Sequence, residues 1–543
     1  MNAQQILPMR IYPNIFFLLL SAPLFAQTTE RVSLTHLGLE PSGGSHTASL
    51  SADGHSFAFL SGADDLVPND TNYQRDAFVR NIQTGMVTRV SVSSSGVEGD
   101  GFTAEVVLSA DGKWAAFIDE SDNLVPSGAA WSRDAYLHEL SSGLTTRVSA
   151  DSFGVQGNDR SDSVAISADG RYVVFHSQAT NLVVGDTNGV EDVFLHDRIT
   201  GTTERISTGL SGAEANGFST EPYISPDGRF VTFRSEATNL VANDANGRAD
   251  AFLLDRLSGE TTLVSVSSLG VQGNNASRPG GISADGRFIT LRSSATNLIP
   301  GGSSNGPHIY LRDLKLGLTT FISMDSAGVP SNGICLSPSV STSGRFVFYE
   351  SWADNLVVGD NNNKPDIFLH DRETAETTMI AVNNLGTYGN KAGYRPSMSS
   401  NGRYILFDSN SRNLVPGDNN GMFDVFLRDR AETAAFNHIL LWGPYEAPTG
   451  APVQLTWCAA PPNSPYYLHY SLNLNGTVFA GHSFDIGSPA TLLATGFTAA
   501  DGQGSVTTQN VPSAAAGFTV YFEQVVRSSG QFYESIVQPI QFH

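Results

Sequence analysis

The chain has 543 residues, too many for one ordinary core and enough for two or three. Only 15% of residues are charged, while Gly reaches 53 and Pro 25, which excludes long Ala-, Glu-, Lys- and Leu-rich helices and favours short strands joined by Gly, Asn, Asp and Ser turns. A net charge of −22, with lysine confined to Lys113, Lys315, Lys364 and Lys391, excludes a nucleic-acid partner, because phosphate binding needs clustered Lys and Arg.

In chain order, the first element is a targeting signal. Arg10 precedes an apolar run over residues 15–26 that is too short to span a bilayer and ends in a small residue, Ala26, before polar Gln27. Residues 1–26 therefore read as a signal peptide cleaved after Ala26, although Leu24 is an imperfect residue three before the cut. No Cys follows the cut and no later segment is long and apolar enough to cross a membrane, so the expected location is secreted or periplasmic. Export permits disulfides, but the only cysteines are Cys335 and Cys458, one in a repeat and one beyond the repeats. Two separate buried thiols are favoured over a bridge across the domain boundary.

Residues 27–435 are repetitive. A Ser-x-(Asp/Ser/Asn)-Gly turn begins at Ser51, Ser109, Ser167, Ser225, Ser283, Ser341 and Ser399, a constant step of 58 residues. In the third copy Ser163–Ser167 is a short strand, Ala168-Asp-Gly170 a tight turn and Arg171–Phe175 a second strand. A long loop leads to a third strand, Asp192–His196, and a turn leads to a fourth, Thr203–Ser207. The second strands are continuous apolar runs, as expected when both sheet faces are covered. Four antiparallel strands per copy, seven copies and double coverage predict a seven-bladed β-propeller in an all-β protein. The segment Thr28-Thr-Glu-Arg-Val-Ser-Leu34 matches the fourth strands, whereas the seventh copy has only Ala431-Glu-Thr-Ala-Ala-Phe436 at that place. Residues 28–35 are therefore expected beside residues 424–429, clasping the ring and removing two exposed edges; the alternative is that residues 434–441 supply the strand themselves.

Both long connections of each repeat should emerge on one face, the preferred place for a binding site. There the form Asp-x-Asn-x-x-x-Asp recurs in five of the seven repeats: Asp70, Asn72, Asp76; Asp186, Asn188, Asp192; Asp244, Asn246, Asp250; Asp360, Asn362, Asp366; and Asp418, Asn420, Asp424. The second repeat has Gly128 and Ala130 instead, and the fifth has Gly302, Ser304 and His308. Side-chain oxygens at alternate loop positions suit Ca²⁺, which makes calcium the one cofactor to consider. A further Asp such as Asp197 completes an EF-hand-like spacing, but five strand steps put it about 16 Å from Asp192, too far to share an ion. Without it the site is thin, and plain Asx-turns are the commoner role for these residues.

The first strands should line the channel, bringing His46, Glu105, Asp162, Glu221, Arg278 and Arg395 near it, with both charge signs present and no carboxylate pair assignable. His138, His196 and His370 share one repeat position late in the third strand and point around the ring, so surface positions are expected and a metal site is not. Residues 436–543 drop the repeat but keep strand-like runs such as Val453–Trp457 and Phe518–Val526, and a C-terminal β-sandwich domain is expected. Trp457, Tyr466, Tyr467 and Tyr470 are core aromatics or, less commonly, a carbohydrate platform. Gly481-His-Ser-Phe-Asp485 lacks the second Gly of a nucleophile elbow and sits where no βα alternation occurs, so no catalytic residue is assigned.

The segments Ser225-Pro-Asp-Gly-Arg-Phe-Val-Thr-Phe233 and Asp366-Ile-Phe-Leu-His-Asp371 resemble the TolB-type, WD40-like propeller repeat of bacterial envelope proteins, over about residues 28–435. The resemblance implies the propeller fold and an envelope setting. Family repeats are usually shorter and TolB's partner-binding N-terminal domain has no counterpart here, so its partners are not implied. The expected function is a non-catalytic secreted or envelope binding or scaffolding propeller, taking a protein or polysaccharide ligand on the long-loop face. The alternatives are an extracellular glycan- or polymer-acting enzyme using the channel mouth, and a calcium-stiffened structural module.

Overall fold

The computed structural model describes residues 27–126, 133–302 and 306–430 and, as backbone only, strands between His438 and Phe542. The expected signal peptide, the side chains of the C-terminal domain, Cys458 and the packing that would make that domain a sandwich lie outside the described residues.

Seven four-stranded antiparallel sheets form a β-propeller. The first strands are Ser45–Leu50, Thr103–Leu108, Ser161–Ile166, Ser219–Ile224, Ser277–Ile282, Cys335–Val340 and Gly393–Met398. Each touches the first strand of the next blade, and the seventh touches the first, so these strands surround the axis of a closed ring. The ring closes as the repeat arithmetic expects: Thr28–Arg31 is the outer strand of the seventh blade, paired antiparallel with Asp424–Asp429 in the register Thr28↔Asp429 and Arg31↔Phe426.

The core lies between blades. Tyr172, Val174, Val193 and Leu195 of the third blade pack on Val231, Phe233, Phe252 and Leu254 of the fourth, and equivalent clusters repeat around the ring. Each fully buried Phe contributes about 1.5–3 kcal/mol.

The Ser-x-Asp-Gly turns occupy the face opposite the long loops. Ser167 Oγ donates to Asp169 Oδ1 (2.7 Å), which also accepts the Arg171 N–H (3.0 Å). Gly170 has φ of 71°, and a Cβ there would come within 2.3 Å of the Trp114 ring of the preceding blade. Glycine is thus required both by backbone conformation and by an inter-blade aromatic contact. The five bidentate pairs Arg171–Asp197, Arg229–Asp255, Arg287–Asp313, Arg345–Asp371 and Arg403–Asp429 tie second strand to third on this side. Asp197 is therefore spent on an arginine, in keeping with its exclusion from the acidic loop.

One expectation is corrected. His138 and His370 are buried, and His196 is half-buried. The Nδ1 of His138 meets Thr145 Oγ1 at 2.9 Å, and that hydroxyl donates its proton to Val92 O of the preceding blade (2.5 Å), so Nδ1 carries the hydrogen. The repeat alone does not reveal that the preceding blade's crossover covers this position late in the third strand. Burial lowers the His138 pKa to about 4, leaving the ring neutral. Cys335 is free and buried beside Ser331 (3.3 Å) and Ser351 (3.4 Å).

Candidate functional site

The two long connections of each blade meet on one face. Thr71 N–H donates to Glu98 Oε1 (3.1 Å) and Asn72 Nδ2 to Gly99 O (2.9 Å), so the loop after the second strand is hydrogen-bonded to the crossover. Two regions of this face carry ionisable groups: the bases of the acidic loops, and the channel mouth at the inner ends of the strands.

The acidic loops have one common plan. The last Asp begins the third strand and is fully buried; in four of the five loops its Oδ1 accepts a serine hydroxyl from just beyond the fourth strand, as in Ser91 to Asp76 (2.6 Å) and Ser207 to Asp192 (2.5 Å). The Asn closes an Asx-turn with its oxygen, accepting Gln74 N–H at Asn72 (2.7 Å) and Val190 N–H at Asn188 (3.0 Å). Its amide nitrogen, not its oxygen, faces the last Asp: 3.2 Å at Asn72 and Asn188, and 2.7 Å at Asn246 and Asn362. Asn420 differs, donating to Pro41 O (3.3 Å).

Between first and last Asp, three blades place an arginine of the fourth strand. Arg89 Nη1 lies 3.4 Å from Asp70, 3.4 Å from Asp76 and in contact with Glu98. Arg205 Nη1 lies 3.7 Å from Asp186, 3.3 Å from Asp192 and 3.0 Å from Glu214. Arg31 Nη1 lies 3.9 Å from Asp418, 3.5 Å from Asp424 and 2.7 Å from Glu40. The glutamates of the crossover, Glu40, Glu98 and Glu214, complete cages of three carboxylates in which the guanidinium holds the position a cation would take. Burial, together with the charge of Asp76, pushes the Asp70 carboxyl up to about 7, and burial with Asp192 pushes Asp186 up to about 6. Glu214, held by the Thr187 N–H, Thr187 hydroxyl and Arg205, falls to about 2. In the fourth blade, with Leu263 at the arginine position, Gln272 Nε2 bridges Asp244 (2.7 Å) and Asp250 (2.9 Å). In the second blade Arg147 and Gln156 meet Asp134 at 3.3 and 2.7 Å, while Gly128 and Ala130 lie outside the described residues. In the fifth, His308 stands in the Asp position, with Nδ1 at 3.0 Å from Ser331 Oγ; Ser304 lies outside the described residues.

Neither the arginines nor the glutamates follow from the loop spacing. Arg31 lies within the stretch that aligns Thr28–Leu34 with the fourth strands, but nothing in the repeat directs it or its equivalents toward the loop. Glu98 and Glu214 lie 22 to 28 residues beyond the aspartates that they join, and Glu40 reaches Asp418 and Asp424 from the opposite end of the repeat region.

At the channel mouth the repeat breaks down. Seven equivalent positions of the first strand read His46, Ala104, Asp162, Thr220, Arg278, Leu336 and Tyr394. Those just before the third strand read Arg75, Arg133, Glu191, Ala249, Pro307, Pro365 and Phe423. Every first strand has a register shift at or beside the residue that follows His46 or its equivalent, with positive φ at Ser163 (53°), Glu221 (54°), Ser337 (47°) and Arg395 (51°). Such conformations are costly for non-glycine residues and gather where a surface is shaped for a ligand.

All six channel residues expected from the sequence lie here. Arg133 bridges Glu120 (2.8 Å) and Asp162 (3.0 Å); Arg395 and His46 flank the fully buried Asp408 at 3.2 and 3.5 Å; Arg278 pairs with Glu221. Arg75 stacks over Phe102 at 4.1 Å and donates to the carbonyls of Thr103 and Ala104 (2.9 and 3.2 Å); burial and the nearby Arg395 and Arg133 lower its pKa. His46 and Tyr394 pack on Phe423 with ring centroids 5.0 and 5.8 Å apart, and Trp352 is half exposed at the same end of the sixth blade. Burial pushes the Glu105 carboxyl up to about 7, and the charge of Asp162 adds to the rise against a 3.3 Å hydrogen bond from Val164 N–H. Gly481–Asp485, Trp457, Tyr466, Tyr467 and Tyr470 lie outside the residues whose side chains are described. No helix among the described residues is long and apolar enough to cross a membrane.

No protein-family description matches the chain, and no curated protein does. Among solved structures, a TolB from Agrobacterium tumefaciens is similar at 17% identity, with 64% of this chain and 96% of that one covered and a TM-score of 0.34. The RRP9 WD40 repeats align at 10% identity over 74% of this chain and 98% of that one, TM-score 0.36. A Niastella koreensis GH74 enzyme aligns at 11% over 74% and 63%, TM-score 0.24. The chain is a seven-bladed β-propeller that resembles the TolB and WD40 propellers, and at these identities the fold is all that the likeness covers.

Proposed function

We propose that this protein is a non-catalytic, secreted or periplasmic binding propeller that holds a protein or polysaccharide ligand at the channel mouth of its long-loop face. One observation carries the reading. In a ring whose folding positions recur every 58 residues, the mouth positions differ from blade to blade and collect arginines, carboxylates and part-exposed aromatics. Folding needs the recurring residues; the varied ones are released from that need, and a mixed aromatic and charged rim is the chemistry of a recognition surface.

The absence of catalysis rests on the state of the acids. Asp162 is neutralised by Arg133, Asp408 by Arg395 and Glu221 by Arg278. One observation favours the alternative of a glycan-acting enzyme: Glu105, held near neutrality beside Asp162, has the properties of a general acid. A panel of soluble polysaccharides tests both, read by retention of the full chain and by release of reducing ends. Binding without product supports the proposal; product release that Glu105→Gln abolishes replaces it with the enzyme.

A further inference from the structure

The sixth blade breaks the acidic-loop plan in a way no other blade does. It keeps Asp360, Asn362 and Asp366, but every counter-group is gone: Met379 stands where Arg31, Arg89 and Arg205 stand, Ala381 where the serine hydroxyl belongs, and Tyr388 where Glu40, Glu98 and Glu214 lie. Asp366 is fully buried, and its Oδ1 has no hydrogen-bond partner. Its Oδ2 receives only the Asn362 amide at 2.7 Å. No lysine, arginine or histidine nitrogen lies within 4.0 Å of Asp360 or Asp366 among the described residues, and the charge of Asp360 adds to burial in raising the Asp366 carboxyl. A buried carboxylate pair without a cation is unstable unless it is neutralised from outside.

We infer that the sixth blade binds one divalent cation of the calcium class between Asp360 and Asp366, in the place that a guanidinium fills in the first, third and seventh blades. The sister blades define the geometry: there the first and last Asp both reach a single positive atom at 3.3 to 3.9 Å. In the sister blades the arginine meets Oδ2 of the last Asp and the serine hydroxyl meets its Oδ1; Met379 and Ala381 bring neither a charge nor a hydroxyl to Asp366, and hard carboxylate oxygens with loop carbonyls and water suit calcium. Solvent reaches the loop through a cleft of about 540 Å³ lined by Asp360, Tyr388 and Asn390. Loss of the third carboxylate with the arginine also fits: the cage keeps two negative charges for a double charge, as against three around one guanidinium. With two carboxylates the affinity belongs with weak extracellular sites, Kd of about 10⁻⁴–10⁻³ M. This inference is independent of what the channel mouth binds.

The test is calcium titration of the full chain by calorimetry, together with terbium luminescence sensitised by Tyr388. Wild type is expected to bind one ion and to melt at higher temperature in 10 mM Ca²⁺ than in chelator. Asp366→Asn should weaken binding at least about tenfold. A second variant, Met379→Arg with Ala381→Ser and Tyr388→Glu, rebuilds the sister cage and should fold while binding no ion at this site. No binding by wild type, or equal binding by wild type and both variants, overturns the inference.

Discussion

If a guanidinium is the cation of the acidic loops, removing one should cost what uncovering buried carboxylates costs. In Arg205→Met the third blade takes on the sixth blade's composition at that position. Arg205 is 10% exposed, Asp186 2% and Asp192 0%, so three carboxylates would face one another with little water between them. Removing one partner of a fully buried pair costs about 3–5 kcal/mol. Glu214, 22% exposed, can turn to solvent, and Asp186, already raised to about 6, can take a proton. Asp192 keeps Ser207 and Asn188. These reliefs place the expected loss at the lower end, about 3 kcal/mol. The sign with pH follows from raised carboxyl pKa values. The penalty applies in full above the folded-state value and is relieved as pH falls through it toward the ordinary value of 3.8, so the gap to wild type should narrow below about pH 6. Urea unfolding at pH 7.5 and 5 measures both, with Lys113→Met, which breaks a pair whose lysine is 69% exposed, as a control expected within about 0.5 kcal/mol of wild type. A loss for Arg205→Met below about 1 kcal/mol, or one that does not shrink with acid, would refute the reasoning.

Two further outcomes follow from the opposite face. Gly170→Ala should destabilise by roughly 2–4 kcal/mol, combining a positive φ with a 2.3 Å approach to Trp114. Gly143→Ala, with φ of 73° and nothing within 4 Å, should cost only about 1 kcal/mol, and equal melting of the two variants would contradict the aromatic contact. In the Arg–Asp pairs, burial alone would raise Asp197 and Asp371, but hydrogen bonds from Arg171 and Arg345 outweigh it and hold both below 3.8. Depressed carboxyls contribute stability above their unfolded value and lose it as pH falls through the folded one, so Arg171→Met should flatten the acid limb of a melting-versus-pH curve below about pH 4. An unchanged limb would remove these pairs from the acid transition.

Much of this fold was legible because a propeller is written locally. Each blade repeats its strand-turn-strand signals within 58 residues, and the leftover match of Thr28–Leu34 to a fourth strand left the seventh blade as its place. The loop chemistry was legible only in part. Asp186, Asn188 and Asp192 share one loop and give a pattern, but the partners that decide their charge, Arg205 and Glu214, arrive from the fourth strand and the crossover. For the same reason the burial of His138 was hidden: its cover comes from the preceding blade, through Thr145 and Val92. The mouth residues His46, Glu105, Asp162, Glu221, Arg278 and Arg395 could be placed by register, yet their neutralising partners Arg133 and Asp408 belong to other strands and could not.

The central claim is that recognition belongs to the channel mouth on the long-loop face. It is tested most directly by binding of the full chain to the polysaccharide panel and to immobilised envelope proteins, comparing a mouth variant, Arg75→Ala with Trp352→Ala, against an opposite-face variant, Lys113→Ala. The account predicts that the mouth variant loses binding at least about tenfold while the opposite-face variant binds as wild type. Equal binding by all three proteins, or loss confined to Lys113→Ala, would contradict it.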